Sequence, residues 1–164
     1  MRHLLACTAI APALVALTLA NATAATTIGT STTTSVKTST VANGSADDIV
    51  ISSAGSITLT SGTGITLDSN HDVSNAGTIT INDANDVTAI LAAPGTTGDI
   101  TNSGTITLTE NYTATDTDSD GDIDGPFAKG SGKTGIRVQP GAPHVGNIGH
   151  SGTITIEGNQ SAGL

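Results

Sequence analysis

Four ungapped copies of one heptapeptide constrain this 164-residue chain more than any other feature. They are Ser53-Ala54-Gly55-Ser56-Ile57-Thr58-Leu59, Asn75-Ala76-Gly77-Thr78-Ile79-Thr80-Ile81, Asn102-Ser103-Gly104-Thr105-Ile106-Thr107-Leu108 and His150-Ser151-Gly152-Thr153-Ile154-Thr155-Ile156. An aliphatic residue stands four places before each glycine: Ile51, Val73, Ile100 and Ile148. The glycines Gly55, Gly77, Gly104 and Gly152 lie 22, 27 and 48 residues apart. Within each copy, aliphatic residues alternate with Thr, so one face of the strand is apolar and the other polar. No single copy can bury its apolar face alone. Stacking equivalent coils puts isoleucine on isoleucine inside and threonine on threonine outside. The expected fold is therefore all-β, a right-handed parallel β-helix of short coils. An antiparallel sandwich of short strands is the competing architecture, and fixed self-similarity argues against it.

The glycine marks a corner that needs positive φ or close backbone approach. Asn75 and Asn102 sit two residues before it, where stacked amides can hydrogen-bond along the axis. Ser53 and His150 are expected to break that ladder. A second strand is expected after each heptapeptide, at Gly64–Leu67, Val87–Leu91, Gly135–Val138 and Ala162–Leu164. The long third interval then holds an insertion at about 113–132. The β-helix is expected over 45–164, after a Thr/Ser-rich lead-in at 25–44, flexible or an irregular first strand.

Composition agrees with stacked strands. Tyr112 and Phe127 are the only aromatic residues, too few for a layered globular core. The formal net charge is -9, and five of the 14 acids fall between Asp116 and Asp124. This balance repels phosphates and anionic lipids, so nucleic acid is not an expected partner and cations are.

Residues 1–24 read as a secretory signal peptide. Arg2 and His3 precede an apolar run from Leu4 to Leu19, and small residues follow with A-x-A cleavage sites. Cleavage removes Arg2 and no acid, which takes the charge from -9 to -10. Cys7 is the single cysteine and leaves with the leader, so disulfides and thiol chemistry are excluded from the mature chain.

The repeated Asn-Ser-Gly-Thr-Ile-Thr pattern, with Glu157-Gly158-Asn159-Gln160-Ser161-Ala162-Gly163-Leu164 after it, resembles the passenger regions of bacterial autotransporters (type V secretion). The stretch from Asp116 to Ala128, leading to Gly135-Ile136-Arg137-Val138, resembles a segment common in such passengers. The resemblance covers about residues 45–164. It implies export through the inner membrane and display at the cell surface or outside the cell. It also implies an outer-membrane β-barrel translocator in the full-length product, a part not found in these 164 residues. Without a barrel the expected location is the periplasm, for a fragment or a truncated copy. The implied role is a non-catalytic stalk, with adhesion or autoaggregation through cell-surface or self-association partners.

The acidic run carries the strongest local chemistry. Asp116, Asp118 and Asp120 alternate and Gly121 follows, as at the start of an EF-hand-like Ca2+ loop. In that scheme Asp122 offers its carbonyl, and Asp124 binds directly or through water. Phe127 stands where a bidentate Glu is expected, and Pro126 argues against a following helix, so any Ca2+ binding should be weak. A solvated acidic excursion is the alternative. Gly130-Ser131-Gly132-Lys133-Thr134 imitates a phosphate-binding loop, but its earlier glycine would fall at Phe127. His71, His144 and His150 are scattered, which suits surface or turn roles better than a metal site. A Ca2+-assisted carbohydrate-active β-helix, a lyase or hydrolase, is the alternative function. The four basic residues left after cleavage (Lys37, Lys129, Lys133 and Arg137) disfavour it, and no enzyme is expected.

Overall fold

Isoleucine at every second position fixes which side of each strand is buried. The computed structural model describes residues 24–164. The expected leader up to residue 23, with Cys7, lies outside the described residues.

Three all-parallel sheets form the three sides of the coil. The first contains β1 (Thr26–Ile28), β4 (Ile49–Ile51), β7 (Val73–Asn75), β10 (Ile100–Asn102) and β13 (Ile148–His150). The second contains β2 (Ser31–Thr32), β5 (Ser56–Leu59), β8 (Thr78–Ile81), β11 (Thr105–Leu108) and β14 (Thr153–Ile156). The third contains β3 (Val36–Lys37), β6 (Thr63–Leu67), β9 (Thr88–Ala92) and β12 (Thr134–Val138). The strands visit the three sheets in rotation, so the chain is a parallel β-helix. Parallel pairing throughout the sheets excludes the antiparallel sandwich.

Stacking columns follow from the register. Ile57 lies on Ile79, Ile79 on Ile106 and Ile106 on Ile154. In the third sheet Val36 lies on Ile65, Ile65 on Ile90 and Ile90 on Ile136. Ile57, Ile65, Ile79, Ile90 and Ile106 are fully buried. Each such side chain contributes roughly 1.5–3 kcal/mol of transfer free energy. The threonines of the second sheet stack outside in the same register, Thr78 on Thr105 and Thr80 on Thr107.

The glycine corners are settled by contact. Gly55, Gly77, Gly104 and Gly152 are not at positive φ. A Cβ on Gly104 would stand 2.2 Å from the Gly77 carbonyl oxygen, and one on Gly152 would stand 2.0 Å from that of Gly104. The four glycines therefore form a column in which successive backbones touch.

Four features differ from the sequence reading. The residue stacked under Val73 is Ile49, whereas Ile51 lies under Asn75. The corner between β4 and β5 spans residues 52–55, while that between β7 and β8 spans only 76–77. Gap-free alignment on the glycine therefore misplaces β4 by two residues, while Val73, Ile100 and Ile148 stack as aligned. Second, His150 continues the asparagine ladder. Asn75 Nδ2 donates to Asn102 Oδ1 at 2.7 Å, and Asn102 Nδ2 lies 3.0 Å from His150 Nδ1. An imidazole nitrogen accepts a hydrogen bond as an amide oxygen does. Third, β1, β2 and β3 lie within the Thr/Ser-rich segment 25–44, so a first coil precedes the four recognised in the sequence. Fourth, Ala162–Leu164 forms an isolated parallel bridge from Ala162 to Thr134 instead of a strand. The amides of Gly135 and Ile136 donate to the Ala162 and Gly163 carbonyls.

One period is longer than the one before it. Thr78 to Thr105 is a step of 27 residues, but Thr88 to Thr134 is a step of 46, so 19 extra residues lie between β11 and β12. Stacking persists to Asn111, whose amide donates to Asp83 at 2.6 Å, and resumes at Gly130, whose carbonyl accepts the Asn159 amide at 2.7 Å.

Candidate functional site

The insertion projects from the coil at a clamped base. Glu110 Oε1 accepts the Lys129 amide at 2.8 Å, and its Oε2 accepts the Gly130 amide at 2.5 Å. One carboxylate thus ties the outgoing chain to the returning chain. Beneath it, Lys133 is fully buried. Its ammonium donates to the Thr109 carbonyl at 3.0 Å and lies 3.9 Å from Glu110 Oε2. Lys129 Nζ sits 4.5 Å from the centre of the Tyr112 ring, a cation–π contact on the outer side. A cleft of about 220 Å³ opens here, lined by Asp83, Glu110, Tyr112 and Lys129 among others. A wider groove of about 600 Å³, lined mainly by Ser and Thr, lies where β2–β3 and β5–β6 turn.

At the tip, short-range hydrogen bonds shape the acidic run. Asp116 Oδ1 accepts the Ser119 amide at 2.6 Å, and its Oδ2 accepts the Gly121 amide at 3.0 Å. Asp118 Oδ1 accepts the Asp120 amide, and Asp120 Oδ1 accepts the Asp122 amide. Ser119 and Gly121 adopt φ of 63° and 99°, which turns the chain back on Asp116. Asp116, Asp118 and Asp120 each offer an oxygen within 4.8 Å of the others, and all three are exposed. Oxygens bound to one Ca2+ at about 2.4 Å can be at most about 5 Å apart, so this cluster can hold such an ion.

The hydrogen bonds set the charge of these groups. The Gly121 amide is the largest influence holding the Asp116 carboxyl below its ordinary value, with the Ser119 amide adding to it. The Thr117 hydroxyl does the same for Asp124, followed by the Thr117 amide. Of the five expected ligands, the structure brings together Asp116, Asp118 and Asp120. The carboxylates of Asp122 and Asp124 stand outside that group. Asp124 Oδ2 accepts from Thr117, through the amide at 2.8 Å and the hydroxyl at 2.5 Å, closing the loop at its neck.

Gly130–Thr134 leads into β12 and opens no helix, so the phosphate-loop imitation has no structural counterpart. The histidines are dispersed as expected. His71 Nδ1 lies 3.1 Å from Asp48 Oδ1, His144 meets Thr96, and His150 meets Asn102.

A polar column runs beside the first sheet. Asp48 Oδ1 accepts the Asp72 amide, Asp72 Oδ1 accepts the Asp99 amide, and Asp99 Oδ1 accepts the Asn147 amide. These bonds stitch successive coils at the corner before the first sheet. The signal was available: an Asp or Asn stands directly before Ile49, Val73, Ile100 and Ile148. The role of Lys133 carried no such signal, because its burial depends on where the insertion returns.

No protein-family model, curated protein or solved structure matches this chain.

Proposed function

We propose that this chain is a non-catalytic, exported β-helical stalk, the N-terminal part of a surface-displayed passenger of autotransporter type. The single observation that carries the reading is the in-register stacking of coils from β1 to the Ala162 bridge. Most of the described residues build that scaffold, and one long excursion among them leaves it. At about 4.8 Å per coil, such a scaffold grows along one axis with each repeat, as a spacer does. The pattern around Arg2, Leu4–Leu19 and Ala24 supplies the export route, and the resemblance of 45–164 supplies the surface destination. Adhesion or self-association of cells is the role that fits a stalk. Display on a bacterial surface behind a β-barrel translocator tests it, with cell clumping and no turnover of acidic glycans as the expected result. Turnover of pectin or alginate would replace this reading by the carbohydrate-active one.

Calcium is the proposed ion of the Asp116–Asp118–Asp120 cluster. Titration calorimetry at millimolar Ca2+ should give heat, and the melting temperature should rise by linkage. Asp118→Asn with Asp120→Asn should abolish both effects. Absence of heat and of any melting shift in the unmodified chain would refute the assignment. The sign of the pH dependence follows from the lowered carboxyls of Asp116 and Asp124. Their contribution is complete above the ordinary carboxylate range and is lost as pH falls through their lowered folded values. The hydrogen bonds that Asp116 and Asp124 accept within the loop should therefore persist into mild acid.

A further inference from the structure

The ladder through Asn75, Asn102 and His150 has a direction, and the direction is forced. Asn75 Oδ1 accepts the Gly77 amide at 3.1 Å. A backbone amide can only donate, so the oxygen of Asn75 must face it and the NH2 must face Asn102. Asn75 Nδ2 then requires Asn102 Oδ1, at 2.7 Å. Asn102 is thereby left with its NH2 facing His150 Nδ1, at 3.0 Å. Both asparagines are fully buried. The last acceptor in this chain of donors must be an imidazole nitrogen carrying no proton. His150 is held as the tautomer with its proton on Nε2.

We infer that His150 is a pH-sensitive latch, which fastens the coil carrying β13 and β14 to the coil below only while its Nδ1 is unprotonated. A proton on Nδ1 sets donor against donor and strips a fully buried NH2 of its acceptor. Leaving such a donor unpaired weakens the rung about fivefold or more. The strands packed on His150 hold no competing charge. β10 reads Ile-Thr-Asn and β14 reads Thr-Ile-Thr-Ile, with no titratable side chain in either. The acids flanking these strands are engaged elsewhere: Asp99, directly before β10, accepts from Asn147, and Glu157, directly after β14, accepts the Glu110 amide. Ser151 and Gly152, directly after His150, both donate to the Asn102 carbonyl at 2.9 and 3.1 Å. Their amides report the rung. The equivalent amides one coil down, Ser103 and Gly104, donate to the Asn75 carbonyl. That rung is built from amides alone and is insensitive to acid.

The test is amide exchange on the full chain, corrected for intrinsic rates, compared at neutral and at mildly acidic pH. Protection at Ser151 and Gly152 should fall about fivefold or more, the low end of the cost of an unpaired buried donor. Protection at Ser103 and Gly104 should stay constant. In His150→Asn, which supplies an oxygen acceptor at every pH, the fall at Ser151 and Gly152 should disappear. Nitrogen NMR of the unmodified chain at neutral pH should show His150 Nδ1 without a proton, a readout that needs no variant. Equal losses at both rungs, a loss that persists in His150→Asn, no loss in the unmodified chain, or an Nδ1–H tautomer would each overturn the latch.

Discussion

Replacing Gly104 by alanine is expected to destabilise the chain by about 3 kcal/mol or more. The added Cβ would lie 2.2 Å from the Gly77 carbonyl oxygen and 2.7 Å from the Ala76 carbonyl carbon. Both obstacles are backbone, and neither can rotate aside as a side chain can. Gly77 is itself pressed against the Gly55 carbonyl oxygen, at 2.2 Å from its own ideal Cβ position. Displacing one corner therefore loads the next. Two other glycines separate this mechanism from a general glycine effect. Gly125 has open space around its Cβ position and no positive φ, so Gly125→Ala should be nearly neutral. Gly121 also has open space but φ of +99°, so Gly121→Ala should cost only about 1 kcal/mol of backbone strain. Urea melts of the three variants check the order. A Gly104→Ala midpoint equal to that of Gly125→Ala would show that the glycine column is not a close-contact device.

Truncating the acid at the base of the insertion should have a comparable effect. Glu110→Ala strands the fully buried Lys133 ammonium on the Thr109 carbonyl alone and releases the Lys129 and Gly130 amides. Breaking a buried pair by removing one partner costs about 3–5 kcal/mol. The pair here is long, 3.9 Å, and Glu110 is 9% exposed, so about 3 kcal/mol is the expected loss. Adding Lys133→Met to Glu110→Ala removes the stranded charge while keeping an apolar stem. The double variant should recover part of the stability lost by Glu110→Ala. Chemical denaturation measures both. A double variant less stable than Glu110→Ala would show that Lys133 is not stranded by the truncation.

The scaffold was legible because isoleucine, threonine and glycine recur at fixed offsets within seven residues, and each offset has one physical use. Ile57, Ile79 and Ile106 fell where the alternation placed them. Features that depend on distances between motifs were less legible. Ile49, not Ile51, supports Val73 because one corner is two residues longer than the next, and corners carry no periodicity. Lead-in threonines such as Thr26 and Thr32 hide the first coil, since they occupy inward positions filled elsewhere by isoleucine. His150 differs in type from Asn102 yet offers the one property the ladder needs, a lone pair. At the tip, the alternation of Asp116, Asp118 and Asp120 foretold their convergence. That Asp124 turns instead to Thr117 follows from the loop's own closure, which spacing does not encode.

The excursion after β11 enters and leaves the coil at points fixed by Glu110 and Lys133, and the isoleucine columns on either side keep their register. Its length is therefore decoupled from the integrity of the scaffold. Doubling a flexible loop adds only about 0.6 kcal/mol of closure entropy. The coil thus behaves as a socket, able to carry inserts of very different size and chemistry while the shaft beneath them stays the same.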